Sequence, residues 1–387
     1  MVSKQEIPYP ELDTPAALLD MDKLEANIAE MSKLAAEAGV KLRPHIKVHE
    51  SADIAKYQMD AGACGIEVGP IDQAIAMVEG GLNDVVIAHP FYGQRKLEKL
   101  KGLLERPNTK VAVVVDMLEQ AEGISQVGKA LGQKVPVIIK VDVGGNRYGV
   151  LPGEPALSLA KQISKLTGVK LAGTYAHEVY TDPTPDKQDE VADKVLQVMN
   201  DTAKLLKKEG LSIDHVSLGS SGTWRSLCKQ LKTGRYPEVN EIHPGTCIVG
   251  AMLSVGRFAL TVDQCALSIL ASVMSISHPG HAMLDFGEKT LGGDPLRQFS
   301  DRPGYLWENK PSYGLIKSRP DLWLGSLSGE VSSVFYRDPV KRLSLGDRLE
   351  IIPNNPYPVI NSQDKLYGVR KGKIEKVIPV TGRGKGT

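Results

Sequence analysis

Lys47 is the residue in this sequence whose surroundings best suit covalent chemistry. It lies in the segment RPHIKVH, where Arg43, His45 and His49 bring further basic groups close to it. Positive neighbours disfavour one more positive charge and therefore favour the free amine of the lysine, the form that makes a Schiff base with an aldehyde. The competing interpretation is an ordinary solvated lysine at the surface.

Two segments rich in Gly, Ser and Thr are candidates for a phosphate site. SLGSSGT covers residues 217–223, and HPGT follows at residues 243–246. Backbone N–H groups and hydroxyls of such loops can cup phosphate oxygens, although most loops of this composition are only turns. In a third segment, DVGGNRYG, Arg147 is a candidate partner for an anionic cofactor oxygen or for a surface ion pair. A Schiff-base lysine and a phosphate cup together point to a pyridoxal-phosphate (PLP) site.

The elements that must position these residues follow from the hydrophobic pattern. The first two-thirds of the chain alternates short apolar runs with amphipathic stretches, as repeated βα units do. In a parallel barrel the active site lies at the carboxyl ends of the strands, where the segments above are found. Apolar spacing predicts helices over 22–38 and 191–209. Strands are predicted at Ala16–Asp20, Leu42–His45, Cys64–Val68, Val85–Ala88, Val111–Asp116, Val135–Val143, Leu171–His177, His215–Gly219 and Glu238–His243.

The pattern changes near residue 250, where short β-branched segments separated by Gly, Pro and Asp replace the βα alternation. We therefore predict an α/β chain: a (β/α)8 TIM-like barrel over residues 1–250 and a mostly antiparallel β domain over 251–387. Nine strands are predicted before residue 250, one more than such a barrel needs. We therefore expect the first of them, Ala16–Asp20, to join the β domain or lie on its border. The later strands are predicted at Ser268–Ile276, Ala282–Asp285, Gly329–Phe335, Arg348–Ile352, Leu366–Arg370 and Lys373–Pro379.

Composition excludes several classes of protein. The 387 residues are 42% hydrophobic and 24% charged, which is typical of globular chains and suits two domains. With 47 Lys+Arg against 46 Asp+Glu, the formal charge of +1 offers no global field for nucleic acid or an anionic membrane. The start of the sequence lacks the apolar region of a signal peptide, and the four cysteines form no C-x-x-C pair. We expect a cytoplasmic protein with reduced cysteines.

The ordered set of motifs resembles the D-threonine aldolase/D-serine dehydratase family, whose members are fold-type III, alanine-racemase-like PLP enzymes. The resemblance covers nearly the whole chain and implies a homodimer that acts on a small amino acid. It implies that Lys47 carries the cofactor and that His177 is an active-site base or a substrate ligand. With Tyr180 or Tyr357 nearby, His177 could take the proton of a β-hydroxyl group. The motifs are RPHIKVHES, DVGGNRYGV, YAHEVY, SLGSSGT, HPGT and IIPNNPYPVINSQDKLYGVRKG. The cofactor-binding residues implied are Lys47, His45, Arg147, Tyr175, Ser221, Gly222, Thr223, Gly245 and Thr246.

The sequence departs from the family at its metal site. Members that cleave or dehydrate β-hydroxy amino acids usually hold a divalent metal through P-N-H-x-C or P-N-H-x-D, and this chain has Pro-Asn-Asn-Pro-Tyr at residues 353–357. Asn355 and Tyr357 thus stand where the ligands belong, and neither suits zinc or manganese. A second pattern of the family, roughly E-E-H-G, is Gly-Glu-Val-Ser at residues 329–332 and lacks its histidine. We therefore expect that the enzyme uses no metal.

Loss of the metal changes which reactions are favoured. Elimination of a β-hydroxyl is difficult without a Lewis acid, whereas aldol cleavage needs only a base for the hydroxyl proton. We therefore expect aldolase-type C–C cleavage or formation on a D- or β-hydroxy-amino acid. The alternatives are a metal-independent racemase, epimerase or transaminase, then a D-serine-type dehydratase, and last a non-catalytic PLP carrier, which would not need the C-terminal β domain.

Overall fold

The computed structural model describes residues 7–178, 184–295, 306–307 and 310–386. The chain divides into two compact units, one formed by Met1–Asn27 with Thr246–Gly384 and the other by Ile28–Gly245 with Lys385–Thr387. A first strand, β1 (Ala16–Asp20), leads directly into helix α1 (Met21–Glu37). The assignment of distinct functional domains to residues 1–250 and 251–387 stays a prediction.

The unit formed around Ile28–Gly245 contains an eight-stranded parallel sheet in the order β2-β9-β8-β7-β6-β5-β4-β3. A parallel bridge between His45, just after β2, and Glu67 in β3 joins the two ends of this sheet. The sheet therefore closes into a barrel, and the predicted barrel architecture is confirmed. Its strands are β2 (Lys41–Leu42), β3 (Ile66–Val68), β4 (Asp84–Ile87), β5 (Lys110–Val115), β6 (Val135–Lys140), β7 (Val169–Ala176), β8 (His215–Leu218) and β9 (Glu241–Ile242).

Amphipathic helices alternate with these strands because each must cover one apolar face of the sheet. The helix predicted to start at Val191 begins earlier, at Pro185, where Thr184 is in an extended conformation and a proline occupies the first helical turn. A short 3-10 turn, Ile46–Val48, follows β2. The helices are α2 (Ala52–Asp60), α3 (Ile71–Glu79), α4 (Gln94–Leu104), α5 (Leu118–Leu131), α6 (Glu154–Ile163), α7 (Pro185–Lys208) and α8 (Trp224–Leu231).

Side chains from neighbouring strands fill the interior of the barrel. Val86, Val114, Ile138 and Tyr175 form a buried cluster with Ala88. Tyr175 is the one polar-tipped member of this cluster, and it lies next to the last residue of β7. Its position takes a hydroxyl group toward the carboxyl ends of the strands.

The unit formed by Met1–Asn27 with Thr246–Gly384, called the second unit below, contains a nine-stranded, mostly antiparallel sheet. Strand β1 lies inside it, antiparallel to β10 (Leu267–Ser275) and parallel to β18 (Lys365–Arg370), so the first strand of the chain contributes to this sheet and not to the barrel. Strands β14 (Gly314–Ile316) and β15 (Leu322–Leu327) are absent from the sequence prediction because glycines interrupt their apolar alternation. The sheet also contains β11 (His281–Leu284), β16 (Ser332–Tyr336), β17 (Arg348–Pro353) and β19 (Lys373–Pro379), while β12 (Leu306–Trp307) and β13 (Lys310–Pro311) form a separate two-stranded sheet.

Helices are short in this unit: α9 (Met252–Gly256), α10 (Glu288–Leu291) and α11 (Pro356–Asn361). Across the described part of the chain, no helix combines the length and the apolar character that crossing a membrane requires.

Candidate active site

Lys47 lies in the 3-10 turn at the carboxyl end of β2, half-buried between the buried residues Ile46 and Val48. Its backbone N–H donates to Nδ1 of His45 over 3.3 Å. The barrel fold thus places the predicted lysine at the end of the strands where barrel active sites form. Its charge is among those that lower the pKa values of His45, His177 and Lys140 below their ordinary range.

His45 is buried and connects Lys47 to a carboxyl group inside the barrel. Because its Nδ1 accepts from a backbone N–H, the proton of the neutral ring belongs on Nε2. That nitrogen lies 3.5 Å from Oε1 of Glu67. Burial, together with the charge of Lys47, lowers the pKa of His45 well below the ordinary value, so the ring is neutral.

Glu67 is a site residue that the sequence analysis missed. Its Oε1 accepts a hydrogen bond of 2.8 Å from the hydroxyl of Tyr175, and its side chain is 1% exposed. Burial raises the pKa of Glu67 to about 8, although the Tyr175 hydrogen bond and the charges of Lys47 and Lys140 oppose the shift. The available signal was a charged residue in the middle of the otherwise apolar strand Ile66–Val68.

Tyr175 stacks on His243, with ring centroids 4.4 Å apart and planes 9° apart. Nδ1 of His243 lies 2.8 Å from the Ser217 hydroxyl, and its Nε2, although buried, has no hydrogen-bond partner among the described residues. A buried imidazole nitrogen without a partner is rare in a folded protein and is the kind of atom that a ligand satisfies. Burial also lowers the pKa of His243 well below the ordinary value.

Lys140, the last residue of β6, brings a second amine to the same end of the barrel. Its Nζ lies 4.5 Å from the ring centroid of Tyr175 and 4.4 Å from that of Tyr148. Burial lowers the pKa of Lys140 to about 8, with Arg147 adding to the shift and Glu67 opposing it. The sequence analysis missed this residue as well, and the signal was a lysine that ends the apolar run Val135–Ile139.

His177 follows β7, and its Nδ1 lies 2.9 Å from the carbonyl oxygen of Gly219. Since a carbonyl oxygen only accepts, Nδ1 carries the proton and Nε2 is left as the basic nitrogen. Burial and the charges of Lys47 and Lys140 lower the pKa of His177 to about 3, so it is neutral over the physiological range. Tyr180, which the sequence analysis paired with His177, lies outside the described residues.

The two predicted phosphate loops contact each other. The N–H of Gly245 donates to the Ser221 hydroxyl over 3.1 Å. Gly245 also packs against His45, and a Cβ at this glycine would stand 2.4 Å from the carbonyl oxygen of His45. Gly222 follows Ser221 at the start of α8, where unpaired N–H groups of a helix end favour anions.

The threonines predicted for the phosphate cup have other partners. The Thr223 hydroxyl donates to the buried carboxylate of Glu178 and lies 3.1 Å from the Ser220 hydroxyl. Thr246, next in the chain after Gly245, belongs to the second unit, where its hydroxyl lies 2.5 Å from that of Tyr357. The hydroxyls of both threonines therefore already have partners within the protein.

Arg147 lies in an exposed loop after β6. Oδ1 of Asp142 accepts from the N–H groups of Gly144 and Gly145, at 2.9 and 2.7 Å, and so fixes the shape of the loop. The guanidinium lies 5.3 Å from the ring centroid of Tyr148. It contributes positive charge to the site, since it also helps to lower the pKa of His177.

Two of the expected neighbours of Lys47 face elsewhere. Arg43 pairs with Asp84 at 2.6 Å and with Glu241 at 3.1 Å, which are the first residues of β4 and β9, so its guanidinium lies at the amino end of the barrel. His49 is buried against Gln58, 3.1 Å away. The expectation of a cationic ring of Arg43, His45 and His49 around Lys47 was therefore wrong, because the chain leaves the barrel strand after Leu42 and turns through Ile46–Val48, so these side chains do not share one face.

Asn355 and Tyr357 are both used in hydrogen bonds within the second unit. The side chain of Asn355 accepts from the N–H of Tyr357 over 3.2 Å and so caps the first turn of α11. The Tyr357 hydroxyl bonds to Thr246, as described above. Over residues 7–178, 184–295 and 310–386, no three His, Cys, Asp or Glu side chains are grouped so that they could hold a metal ion.

Comparison with known proteins gives consistent matches along the chain. The model described as "Alanine racemase, N-terminal domain" matches residues 19–252, and "Putative serine dehydratase domain" matches residues 266–369. The chain is 28% identical to 3-hydroxy-D-aspartate aldolase of Paracoccus denitrificans (strain Pd 1222), over 97% of this chain and 93% of that protein. It is 29% identical to D-threonine aldolase of an Arthrobacter species, over 97% of this chain and 94% of that protein. The crystal structure of D-threonine aldolase from Filomicrobium marinum superposes with a TM-score of 0.86 at 28% identity, covering 98% of each chain.

Proposed function

The chain belongs to the alanine racemase N-terminal domain family and is a PLP-dependent lyase, and from that premise we propose that it cleaves or forms the Cα–Cβ bond of a small D- or β-hydroxy-amino acid without a divalent metal. The observation that carries the proposal is His177, whose hydrogen bond to Gly219 leaves Nε2 as a base at the carboxyl end of the barrel. The similar proteins named above include two aldolases of hydroxylated D-amino acids.

The residues at this end of the barrel fit PLP. Lys47 supplies an amine, and the unpartnered Nε2 of His243 supplies a buried polar atom for a ligand. Arg147 and Lys140 supply positive charge for an anionic cofactor. The contact between Ser221 and Gly245 brings two small-residue loops together where a phosphate would be held. We assign Lys47, His45, Arg147, Tyr175, Ser221, Gly222, Thr223, Gly245 and Thr246 to cofactor binding, the two threonines through their backbone.

In the proposed reaction the residues of the chain have separate tasks. When bound, PLP serves as an electron sink for the pair of electrons left on Cα. Lys47 would carry the cofactor through its amine while no substrate is bound, and His177 Nε2 would take the proton of the β-hydroxyl as the Cα–Cβ bond breaks. The hydroxyl oxygen becomes the carbonyl of a released aldehyde, and Cα is reprotonated to give the shorter amino acid. Tyr180 stays a proposed partner of His177.

Metal independence rests on the donors in the second unit. Asn355 offers an amide and Tyr357 a phenol, where zinc and manganese prefer imidazole, thiolate or carboxylate. Both side chains already have hydrogen-bond partners, which supports a structural role for the segment. Aldol cleavage is the lyase reaction that least needs a Lewis acid, because no hydroxide has to leave.

Racemisation is the second candidate, and Lys140 is the observation that favours it. A racemase needs acid–base groups on both faces of Cα, and Lys140 is a second buried amine whose pKa is lowered to about 8. Transamination, and after it dehydration, are the less favoured alternatives. We further propose, from the family, a cytoplasmic homodimer in which residues 1–250 hold the cofactor and residues 251–387 form a C-terminal β domain; sedimentation equilibrium tests the dimer.

One experiment separates these reactions. The PLP-loaded protein is incubated with D-threonine, D-serine and D-alanine in deuterated water, and the products are followed by NMR. Release of acetaldehyde and glycine from D-threonine supports the aldolase. Inversion with deuterium at Cα indicates a racemase, and release of an oxo acid indicates a dehydratase or a transaminase. A protein that takes up no PLP would refute the proposed function.

A further inference from the structure

Glu67 is a buried carboxyl group that the proposed reaction does not use directly. Its Oε1 accepts from the Tyr175 hydroxyl at 2.8 Å and faces His45 Nε2 at 3.5 Å. Its Oε2 lies 3.6 Å from His243 Nδ1 and has no hydrogen-bond partner among the described residues. A carboxyl group with one oxygen unsatisfied inside a barrel is costly, so its retention calls for a reason beyond packing.

A continuous series of contacts leads from Glu67 to Lys47. With Nε2 of His45 directed at Oε1 of Glu67, the proton of this imidazole stays on Nε2 and Nδ1 remains an acceptor. Nδ1 in turn receives the backbone N–H of Lys47, in the 3-10 turn that carries this lysine. The same two residues, His45 and Glu67, form the bridge that closes the barrel. Any change in the charge of Glu67 is therefore felt at the turn that holds the lysine.

Charged and titratable groups face Glu67 from every side of the barrel mouth. Lys47 from its turn and Lys140 from β6 favour its ionised form, as does the Tyr175 hydroxyl from β7. Glu241 in β9 disfavours it, and burial disfavours it most, so the pKa of Glu67 rises to about 8. His45 and His243 are neutral because burial lowers the pKa of each.

We propose that Glu67 is a positioning residue that, through His45, seats Lys47 for attachment of the cofactor and makes this seating depend on pH. The inference rests on the proposed function, because the cofactor is PLP. The neutral carboxyl group attracts the Nε2–H of His45, 3.5 Å away, only weakly and adds no negative charge beside Lys47 and Lys140. The ionised group holds His45 more strongly and stabilises positive charge on the lysine nitrogens, since charge-assisted hydrogen bonds are about twice as strong as neutral ones.

Glu67→Gln removes the ionisation and keeps an oxygen that accepts from Tyr175 and His45. Glu50→Gln is the matched control, because Glu50 is also a buried carboxyl with a pKa raised to about 7, but its Oε1 accepts from the side-chain amide of Gln73 over 3.0 Å. The visible absorbance of the lysine-linked cofactor is titrated from pH 6 to pH 10 in the PLP-loaded proteins. We expect wild type and Glu50→Gln to show a transition with a midpoint about 8. Glu67→Gln should match wild type at pH 6 and lack the transition.

A second measurement does not depend on the cofactor. In the unloaded protein with ¹⁵N-labelled histidine, the His45 nitrogen shifts should titrate with the same midpoint in wild type and stay constant in Glu67→Gln. Glu67→Asp, which keeps an ionisable group, should restore a transition at a displaced midpoint. A wild type that binds no PLP but shows this titration refutes the proposed function and leaves standing only the coupling of Glu67 to His45. If the NMR titration curve of Glu67→Gln superposes on that of wild type, the proposed role of Glu67 in positioning Lys47 is overturned. Glu67 would then serve only to close the barrel.

Discussion

The imidazole of His177 donates from Nδ1 to the carbonyl oxygen of Gly219 over 2.9 Å, and this one contact decides which nitrogen of the ring is basic. His177→Asn keeps a donor near the position of Nδ1 but has no second nitrogen in place of Nε2. We expect its rate of aldehyde release from D-threonine to fall by about 10²- to 10⁴-fold, the usual contribution of a general base. PLP uptake, measured by visible absorbance, should be unchanged.

The exposed His278 provides the control for that experiment. His278→Gln should keep the full rate with the same cofactor content. A His177→Asn protein that releases acetaldehyde as fast as wild type would remove His177 from the reaction.

Gly245 allows two segments to approach more closely than any side chain permits. A Cβ at this position would lie 2.4 Å from the carbonyl oxygen of His45, a backbone atom that cannot move without the Lys47 turn. We expect Gly245→Ala to weaken PLP binding at least tenfold, or about 1.4 kcal/mol, in an equilibrium titration. Gly102→Ala in α4, where a Cβ meets nothing within 4 Å, should leave the affinity as in wild type.

Removal of metal ions tests the interpretation of Asn355 and Tyr357. Because neither side chain is a good ligand and both have hydrogen-bond partners, we expect aldehyde release to stay within about twofold after treatment with a chelator. The assay is repeated after addition of zinc or manganese. Activity that disappears on chelation and returns with either ion would show that the protein binds its metal through other residues.

The burial of His49 makes the stability of the fold depend on pH. Burial lowers its pKa to about 4 in the folded protein, from an ordinary value of 6.5, even though Gln58 and the N–H of Ser51 bond to the ring. The unfolded chain therefore binds more protons between these values, and the contribution of His49 is present above pH 6.5 and lost as the pH falls to 4. One such proton corresponds to about 1.4 kcal/mol per pH unit.

Urea unfolding at several pH values between 7 and 4 measures this dependence. His49→Gln removes the titrating group and should reduce the slope of unfolding free energy against pH by up to that amount, whatever it does to stability at pH 7. An unchanged slope would contradict the assignment of a neutral, buried His49.

The sequence predicted the parts of the fold that depend on local pattern. Each strand predicted for the barrel exists within a few residues of its predicted bounds, since apolar runs followed by turn residues are local signals. The position of Lys47 at the end of a barrel strand followed from the same pattern. The two small-residue loops also meet, as Ser221 and Gly245 show, because neighbouring parallel strands end at the same edge.

The parts that could not be predicted depend on where side chains point and what surrounds them. Arg43 and Lys47 lie four residues apart in one basic segment, yet the guanidinium of Arg43 lies at the amino end of the barrel. Glu67 and Lys140 belong to strands with mostly apolar neighbours, and only the closed barrel brings them to Tyr175. The partners of Thr223 likewise required the position of Glu178.

Lys47 and Lys140 are both candidates for the lysine that binds PLP covalently. Lys47 is half-buried in the turn after β2, and Lys140 is a buried amine whose pKa is lowered to about 8. The most direct test is borohydride reduction of the PLP-loaded protein, followed by proteolysis and mass spectrometry of the labelled peptide. We predict the label on Lys47, its loss in Lys47→Ala and its retention in Lys140→Ala. A label on Lys140, or none on either lysine, would contradict the account.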